Sequence, residues 1–354
     1  MASSRTEPRP PSPALIFETF NAYQRTGALR AAIDLDFFTA IADGKKTAAE
    51  IASHTGVAEK GARVLCDFLT IMGFLTKSGS EYALTQDTEL FLNRHSPAYM
   101  GSTATFLGQI EKDAGYFDDL AAVVRKGGTM LAGDGTVEPD NPIWITFARS
   151  MAPMMAMPAE LIAQMIGAAE GRAWKVLDIA AGHGLFGIAV AKHNRNARIV
   201  AVDWKAVLDV AQENAAKAGV SDRYSTIPGS AFDADFGGDY DVALLTNFLH
   251  HFDAPTCEAL LRKIHASLKP GGLVATLEFI PNDDRVSPPT PASFRNSLRA
   301  CSCSTTLSLW YRPAPCRAGR YLAGRLRDPL GLLDLSSILD THPMDRTELN
   351  SRSD

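Results

Sequence analysis

The sequence predicts an α/β protein: a Rossmann-like doubly wound sheet preceded by a mainly helical winged-helix domain at the N-terminus. Three observations predict it. From Trp174 onward short apolar runs alternate with helix-period segments, the signature of a parallel sheet with crossover helices. A glycine turn follows the first of those runs, where a βα unit needs a sharp bend. Ahead of them, helical patterns end in one hairpin-like segment.

The bulk numbers are those of a globular protein. Of 354 residues, 46% are hydrophobic and 21% charged, and the formal net charge is −5. That charge gives no electrostatic reason to expect a nucleic acid or an anionic membrane as partner. Residues 1–13 are polar and proline-rich, lack the apolar centre of a signal peptide, and read as a disordered leader. The apolar stretch Met151–Ile166 is too short to span a bilayer and is broken by Pro153 and Pro158. Cys66 and Cys257 stand alone in helical patterns and read as buried thiols. Cys301 and Cys303 lack zinc-ligand spacing, so no metal site is expected, and a reducing cytoplasm is the simplest setting.

Residues 14–95 form the expected winged-helix domain. Apolar residues at helical spacing run from Ala14 and continue through Asp34–Ile41. Thr47 with Glu50 three residues on has capping-box spacing. Glu59–Met72 reads as a helix with Val64, Leu65, Phe68, Leu69 and Met72 on one face, ended by Gly73. FLTKSGSEYALT then reads as strand, turn, strand. A DNA-reading helix would be basic, but Lys60 and Arg63 are balanced by Glu59 and Asp67, which favours a packing or dimerisation module.

Residues 96–170 form a mostly helical connector, interrupted by the glycine- and acid-rich loop Gly127–Asp140. Its second helix, Asn141–Met165, carries Phe147, Met151, Met154, Met155 and Met157. A methionine cluster fills core gaps or lines a pocket for a flat apolar ligand, and core is favoured.

Residues 171–284 hold the sheet. VLDIA is strand one, ARIVAVD strand two, YSTIPG strand three, DVALLTNFL strand four and LVATLEFI strand five, the last announced by the turn LKPGG. Helices FGIAVAKHN, KAVLDVAQENAAKAG and PTCEALLRKIHASL lie between them. Right-handed crossovers then set the ends of strands one and two side by side.

Strand one leads into Asp178-Ile-Ala-Ala-Gly182-His-Gly184-Leu-Phe-Gly187. The glycines permit close backbone approach, and the next helix aims its N–H groups at a ligand. Gly182, Gly184 and Gly187 also spell a dinucleotide fingerprint. Asp178 argues against that reading: its carboxylate would repel a pyrophosphate and favour a cationic methionine head. Asp203 closes strand two, placed to hold ribose hydroxyls. Strand four ends in Asn247-Phe-Leu-His250-His251-Phe-Asp253, and strand five follows Leu268-Lys-Pro-Gly-Gly272.

With these motifs the stretch from Ala14 to Asp284 resembles the class I methyltransferases, and among them the small-molecule O-methyltransferases with an N-terminal winged-helix dimerisation domain. The resemblance implies S-adenosyl-L-methionine as cofactor, a hydroxyl-bearing phenolic or enolic acceptor and a homodimer. It puts Asp178, Gly182 and Gly184 at the methionine part of the cofactor and Asp203 at the ribose. Gly229-Ser230-Ala231-Phe232 falls where adenine is contacted, with Ser230 where an aspartate is common. Trp204, beside Asp203, and Asn247, at the end of strand four, complete the cofactor-binding candidates.

The resemblance also makes His250 the general base that takes the acceptor's hydroxyl proton, and Glu278 the carboxylate that orients it. A histidine suits that task because its pKa lies near neutrality. His251 reads as a satisfied structural histidine nearer the cofactor, and Glu278 could equally cap a neighbouring loop. His183 is expected to be exposed or near the cofactor's carboxyl group.

Residues 285–354 differ in composition. No Asp or Glu occurs between Asp284 and Asp328 while seven arginines do, from Arg295 to Arg327 with Arg285 set aside, and no lysine follows Lys269. Periodicity is weak, and the last two antiparallel strands of the fold are not recognisable. The segment reads as a disordered basic tail or as translation of a shifted frame. Two other functions compete for the whole chain. A metabolite-sensing winged-helix regulator would need a DNA-binding face, and an NAD-dependent oxidoreductase is disfavoured by Asp178.

Overall fold

The computed structural model describes residues 11–104, 106–107, 119–126, 141–282, 284–295, 320–326 and 333–334. The chain divides into two compact units, Met1–Gln109 and Ile110–Asp354.

The first unit is helical with one hairpin. Helices α1 (Ala14–Phe20), α2 (Ala22–Asp34), α3 (Phe37–Ala42), α4 (Ala48–Thr55) and α5 (Glu59–Ile71) precede strands β1 (Leu75–Ser78) and β2 (Glu81–Leu84), and α6 (Gln86–Leu92) follows. The Ala14–Ile41 pattern is not one helix. It breaks at Asn21 and again at Asp36, which sits in the left-handed region at φ 61°. Thr47 caps α4 through a reciprocal capping box with Glu50, an arrangement that satisfies orphan N–H groups at both residues. β1 and β2 pair antiparallel from Leu75↔Leu84 to Ser78↔Glu81, as the hairpin pattern predicts.

One expectation for α5 is corrected. The buried side chains are Ala62, Cys66 and Leu69, spaced i, i+4, i+7, whereas Val64 is exposed. The small residues Ala62 and Cys66 let α5 approach Ile33, Phe37 and Ile51 in the core of this unit, so the buried stripe is rotated away from the bulkier side chains. Burial also pushes the Cys66 thiol up to about 12, which keeps it an unreactive core group.

The second unit begins, among described residues, with α7 (Leu120–Lys126) and α8 (Ile143–Met165). The loop Gly127–Asp140 lies outside the described residues. Pro153 and Pro158 do not break α8, which runs through both. Proline removes two amide donors there, but Met151, Met155, Ala159 and Ile162 bury a continuous apolar stripe that holds the helix.

Then the βα alternation starts: β3 (Lys175–Ile179), α9 (Leu185–His193), β4 (Arg198–Asp203), α10 (Lys205–Lys217), β5 (Tyr224–Pro228), β6 (Tyr240–Thr246), α11 (Ala254–Ser267) and β7 (Leu268–Glu278). The sheet order is β5-β4-β3-β6-β7, all parallel. The fold class is therefore the doubly wound one, with the switch point between β3 and β6 and strand ends β3 and β4 adjacent. Strand four stops at Thr246, and Leu249–His251 is a 3₁₀ turn rather than strand. The LKPGG segment does not precede strand five but lies inside it: pairing jumps from Tyr240↔Leu268 to Val242↔Leu273. Apolar layers cover both faces, one with Val176, Phe186 and Ile199, the other with Leu177, Leu245 and Leu260.

A short helix, Pro289–Arg295, follows β7. In the tail, β8 (Arg320–Leu326) adds to the sheet parallel to β7, from Leu273↔Arg320 to Glu278↔Arg325, and β9 (Leu333–Asp334) pairs antiparallel to β8. This departs from the expectation of a tail without strands. The run Tyr321–Gly324 between arginines is too short for a period to show in sequence, yet an open sheet edge can recruit it. Residues 296–319, with Cys301, Cys303 and Cys316, lie outside the described residues.

Candidate active site

The candidate residues gather at the carboxyl ends of the parallel strands, where open α/β sheets bind ligands. Leaving β3, the chain takes Ala180 to φ 52°, Gly182 to φ 57° and Gly184 to φ 74°. Three left-handed residues in five make a tight loop whose last residue starts α9. The glycines are required by space as well as φ. A Cβ on Gly184 would meet the Tyr224 hydroxyl at 2.6 Å, and one on Gly187 would meet Ile199 Cγ2 at 2.7 Å and Asp178 Oδ2 at 2.8 Å.

Asp178 lies underneath this loop, not in it. It is 0% exposed, and its Oδ2 accepts from the Gly187 N–H at 3.0 Å. Through that bond Asp178 anchors the first turn of α9 from below. Its Oδ1 is buried without a partner, as is the Tyr224 hydroxyl. Burial pushes the Asp178 carboxyl up to about 7, opposed by the Gly187 amide and reinforced by the charge of Asp203.

Asp203 is part-buried and faces the loop. Its Oδ2 accepts from Gly182 N–H at 2.8 Å and its Oδ1 from Trp204 N–H at 2.7 Å. Burial pushes this carboxyl up to about 6 against those two amides. Each oxygen keeps a second lone pair, so further hydroxyl donors can be accepted. The Asp203 carbonyl accepts from Gly229 N–H at 2.9 Å, which brings the Ser230–Phe232 loop alongside. In that loop the Ser230 hydroxyl oxygen accepts from Phe232 N–H at 3.1 Å. Ala231 is buried, and the Phe232 ring packs against Phe248 and Phe252. Trp204 caps α10 and packs with Ala148 and Val207.

Of the two expectations for His183, exposure is overturned. It is 5% exposed, burial lowers its pKa to about 4, and its Nδ1 accepts from Leu185 N–H at 3.2 Å. The ring folds back onto Phe186 because the left-handed Gly184 turns the chain inward there.

At the ends of β6 and β7 a second cluster forms. Glu278, buried at the last position of β7, accepts from Phe248 N–H at 2.8 Å and Leu249 N–H at 2.7 Å through Oε1. Its Oε2 lies 2.8 Å from His250 Nδ1. One Glu278 oxygen thus holds the 3₁₀ turn, and the other meets the imidazole that the turn carries. His250 remains partly exposed. His251 stacks 4.2 Å from His250 and edge-on to Trp144, and burial, then the neighbouring imidazole, lowers its pKa to about 3. Asn247 adopts φ 52°, and its Nδ2 donates to Met155 Sδ at 3.3 Å while its Oδ1 is buried without a partner. Met155 is thus a core residue that also touches the site.

Three supporting residues were not singled out from sequence. Lys263 on α11 donates to the carbonyls of Ala231, Phe232 and Ala234 at 3.2, 2.7 and 2.7 Å, fixing the loop after β5. Asn214 on α10 donates to the His183 carbonyl at 2.9 Å. Tyr224 supports Gly184 from beneath. The available signals were a lysine between the buried Leu260 and Ile264 and an asparagine inside a helical run, a place asparagine disfavours.

Comparison with known proteins bears on the family and the fold. Residues 176–272 match the model of a methyltransferase domain, and residues 17–94 match that of an O-methyltransferase dimerisation domain. The latter match gives no support to a DNA-binding regulator. A candidate O-methyltransferase from Nostoc punctiforme, solved by crystallography, is 51% identical, with TM-score 0.77 over 83% of this chain and 87% of that one. The 3-hydroxy-5-methyl-1-naphthoate 3-O-methyltransferase of Streptomyces sahachiroi is 24% identical over 81% of this chain and 83% of its own. Human N-acetylserotonin methyltransferase, solved in complex with S-adenosylmethionine, shares the fold at 19% identity and TM-score 0.69, over 85% of this chain and 88% of its own. No described helix is long and apolar enough to cross a membrane. The chain belongs to the S-adenosylmethionine-dependent O-methyltransferase family whose members carry an N-terminal dimerisation domain.

Proposed function

We propose that this chain methylates a hydroxyl group of a phenolic or enolic small molecule, with His250 as general base, and works as a homodimer. The observation that carries the base assignment is the His250 Nδ1–Glu278 Oε2 contact of 2.8 Å at the mouth of the sheet. Bound S-adenosylmethionine supplies an already activated methyl group on a sulfonium. The protein's share is alignment, exclusion of water and removal of one proton.

The turn fits that cofactor. Gly182 and Gly184 allow the chain's backbone to meet the methionine part closely, and Asp203 has lone pairs left for ribose hydroxyls. Ser230, Ala231 and Phe232 border the adenine position, with Trp204 and Asn247 on its flanks. Ser230 offers a weaker adenine partner than a carboxylate. Asp178 serves as a positioning residue under the turn. With Nδ1 turned to Glu278, His250 takes the acceptor's proton on Nε2, and the carboxylate stabilises the imidazolium that forms. Trp144 and Met155 of α8 already touch His251 and Asn247, which makes this helix a wall for a flat acceptor. The naphthoate acceptor named for the Streptomyces sahachiroi relative has the expected chemistry.

The dimer reading rests on the dimerisation-domain match and on α1. That helix buries none of its own residues in the single chain, leaving Leu15, Ile16, Phe17 and Phe20 exposed.

The test is His250→Ala. Turnover with a labelled methyl donor against a phenol panel should fall about 10²- to 10⁴-fold while S-adenosylhomocysteine still binds. Full turnover in this variant would remove the base assignment. Glu278→Gln should keep the capping acceptor but lower turnover and shift its pH profile.

A further inference from the structure

Two carboxyl groups meet at the glycine turn with no cation beside them. Asp178 is sealed below it, one oxygen on the Gly187 amide and the other without a partner. Asp203 ends the adjacent strand, whose register places Asp178 beside Ala201 and Ile179 beside Val202. The groups facing Asp178 can be named element by element. β4 contributes Asp203, and β5 contributes the buried, unpartnered Tyr224 hydroxyl. α9 contributes the Gly187 amide, and His183 in the turn is kept neutral by burial. β6 lies alongside with the uncharged Val242–Leu245. Among the described residues no lysine or arginine offsets either acid.

We propose that cofactor binding at this turn is coupled to loss of a proton from the Asp178–Asp203 pair, so that the pair distinguishes the cationic methyl donor from its neutral product. This inference rests on the cofactor reading above. Burial pushes the two carboxyls up to about 7 and about 6, so the ligand-free pair retains proton occupancy near neutrality. S-adenosylmethionine carries a sulfonium, an ammonium and a carboxylate, and is a net cation. A positive charge in a poorly hydrated surround favours the ionised carboxylate. The carboxyl O–H of Asp178 breaks heterolytically, its proton goes to bulk solvent, and the anion stays behind. No bond to the ligand forms. Once the methyl group has left, the sulfonium is an uncharged thioether, the pair takes a proton back from solvent, and the hold on the product weakens.

Calorimetric titration of the full chain with S-adenosylmethionine and with S-adenosylhomocysteine tests this, in two buffers of different ionisation enthalpy. The range runs from about pH 5.5 to about pH 7.5, below the ligand's own α-amino titration. The methyl donor should release about half a proton near the middle of that range and bind about tenfold tighter at its upper end. The product should release less and tighten by no more than about threefold over the same range. Asp178→Asn, which keeps an oxygen for the Gly187 amide, should flatten the donor's dependence. Donor binding that is independent of pH and buffer would overturn the coupling and leave the cofactor reading standing. Equal dependence for donor and product would overturn the discrimination. Absence of binding by either ligand would overturn both the cofactor reading and the inference built on it.

Discussion

A methyl group on Gly184 would lie 2.6 Å from the Tyr224 hydroxyl and 2.9 Å from Ala211 Cβ, at a residue held at φ 74°. Overpacking costs about 1–3 kcal/mol and a left-handed non-glycine residue about 1–2 kcal/mol. Gly184→Ala should therefore lower the urea-unfolding free energy by about 2–5 kcal/mol and abolish S-adenosylhomocysteine binding, read from urea titrations with and without the ligand. A variant as stable and as tight-binding as the parent would show that the turn is not held as described. At this scale, residue identities were legible wherever backbone geometry demands them: Gly182, Gly184 and Gly187 announce themselves, and Asp203 stands where strand two must end. What each side chain faces was not legible. Asp178 reads in sequence as a residue of strand one just ahead of the turn, and only the pleat of β3 decides that it points toward Gly187. His183 has the same history, since nothing in Gly-His-Gly reveals that the ring folds inward onto Phe186.

Among elements, α11 does more than cross between strands. Lys263 donates to three consecutive-loop carbonyls, those of Ala231, Phe232 and Ala234, and charge-assisted bonds of this kind contribute about 1.5–3 kcal/mol each at most. Lys263→Met should leave the helix folded, loosen the Ser230–Ala234 loop and weaken S-adenosylhomocysteine binding by about tenfold, a loss of about 1.4 kcal/mol. Unchanged affinity by calorimetry would mean that this loop does not contact the ligand. Most elements of the sheet unit were legible because short apolar runs such as VLDI and RIVAVD alternate with helix-period segments. The misses have physical causes. LKPGG carries every sign of a turn, yet it is absorbed as an irregular stretch inside β7 because Leu268 still pairs with Tyr240. Pro153 and Pro158 are helix breakers in isolation, but α8 is held by burial along its length. On α5 the expected face keeps Leu69 in the core but not Val64, because close packing selects the small Ala62 and Cys66 beside it.

The whole chain carries two further consequences. First, the folded-state pKa of Asp178 is about 7 against an ordinary 3.8. A raised carboxyl pKa means that the folded chain holds the proton longer than the unfolded one. The stabilising contribution is full below the unfolded value and is lost as pH rises through the folded one. Ligand-free Asp178→Asn should therefore lose less thermal stability than the parent between about pH 5 and about pH 7.5. Parallel melting curves for the two proteins would contradict this. Second, the exposed apolar side of α1, with Phe17 60% and Phe20 70% exposed, has to be covered for the chain to stay soluble at working concentration. Phe17→Asp with Phe20→Asp should halve the mass seen by light scattering, and an unchanged mass would place the dimer contact elsewhere. The architecture of both units was legible at this scale, whereas β8 was not, because a seven-residue segment leaves little trace in composition. The most direct measurement of the central claim is a crystal structure of the full chain with S-adenosylhomocysteine. The account predicts its amino-acid part against Gly182–Gly184, its ribose hydroxyls on Asp203 and His250 open toward the sulfur. An adenosyl group bound away from the ends of β3 and β4 would contradict it.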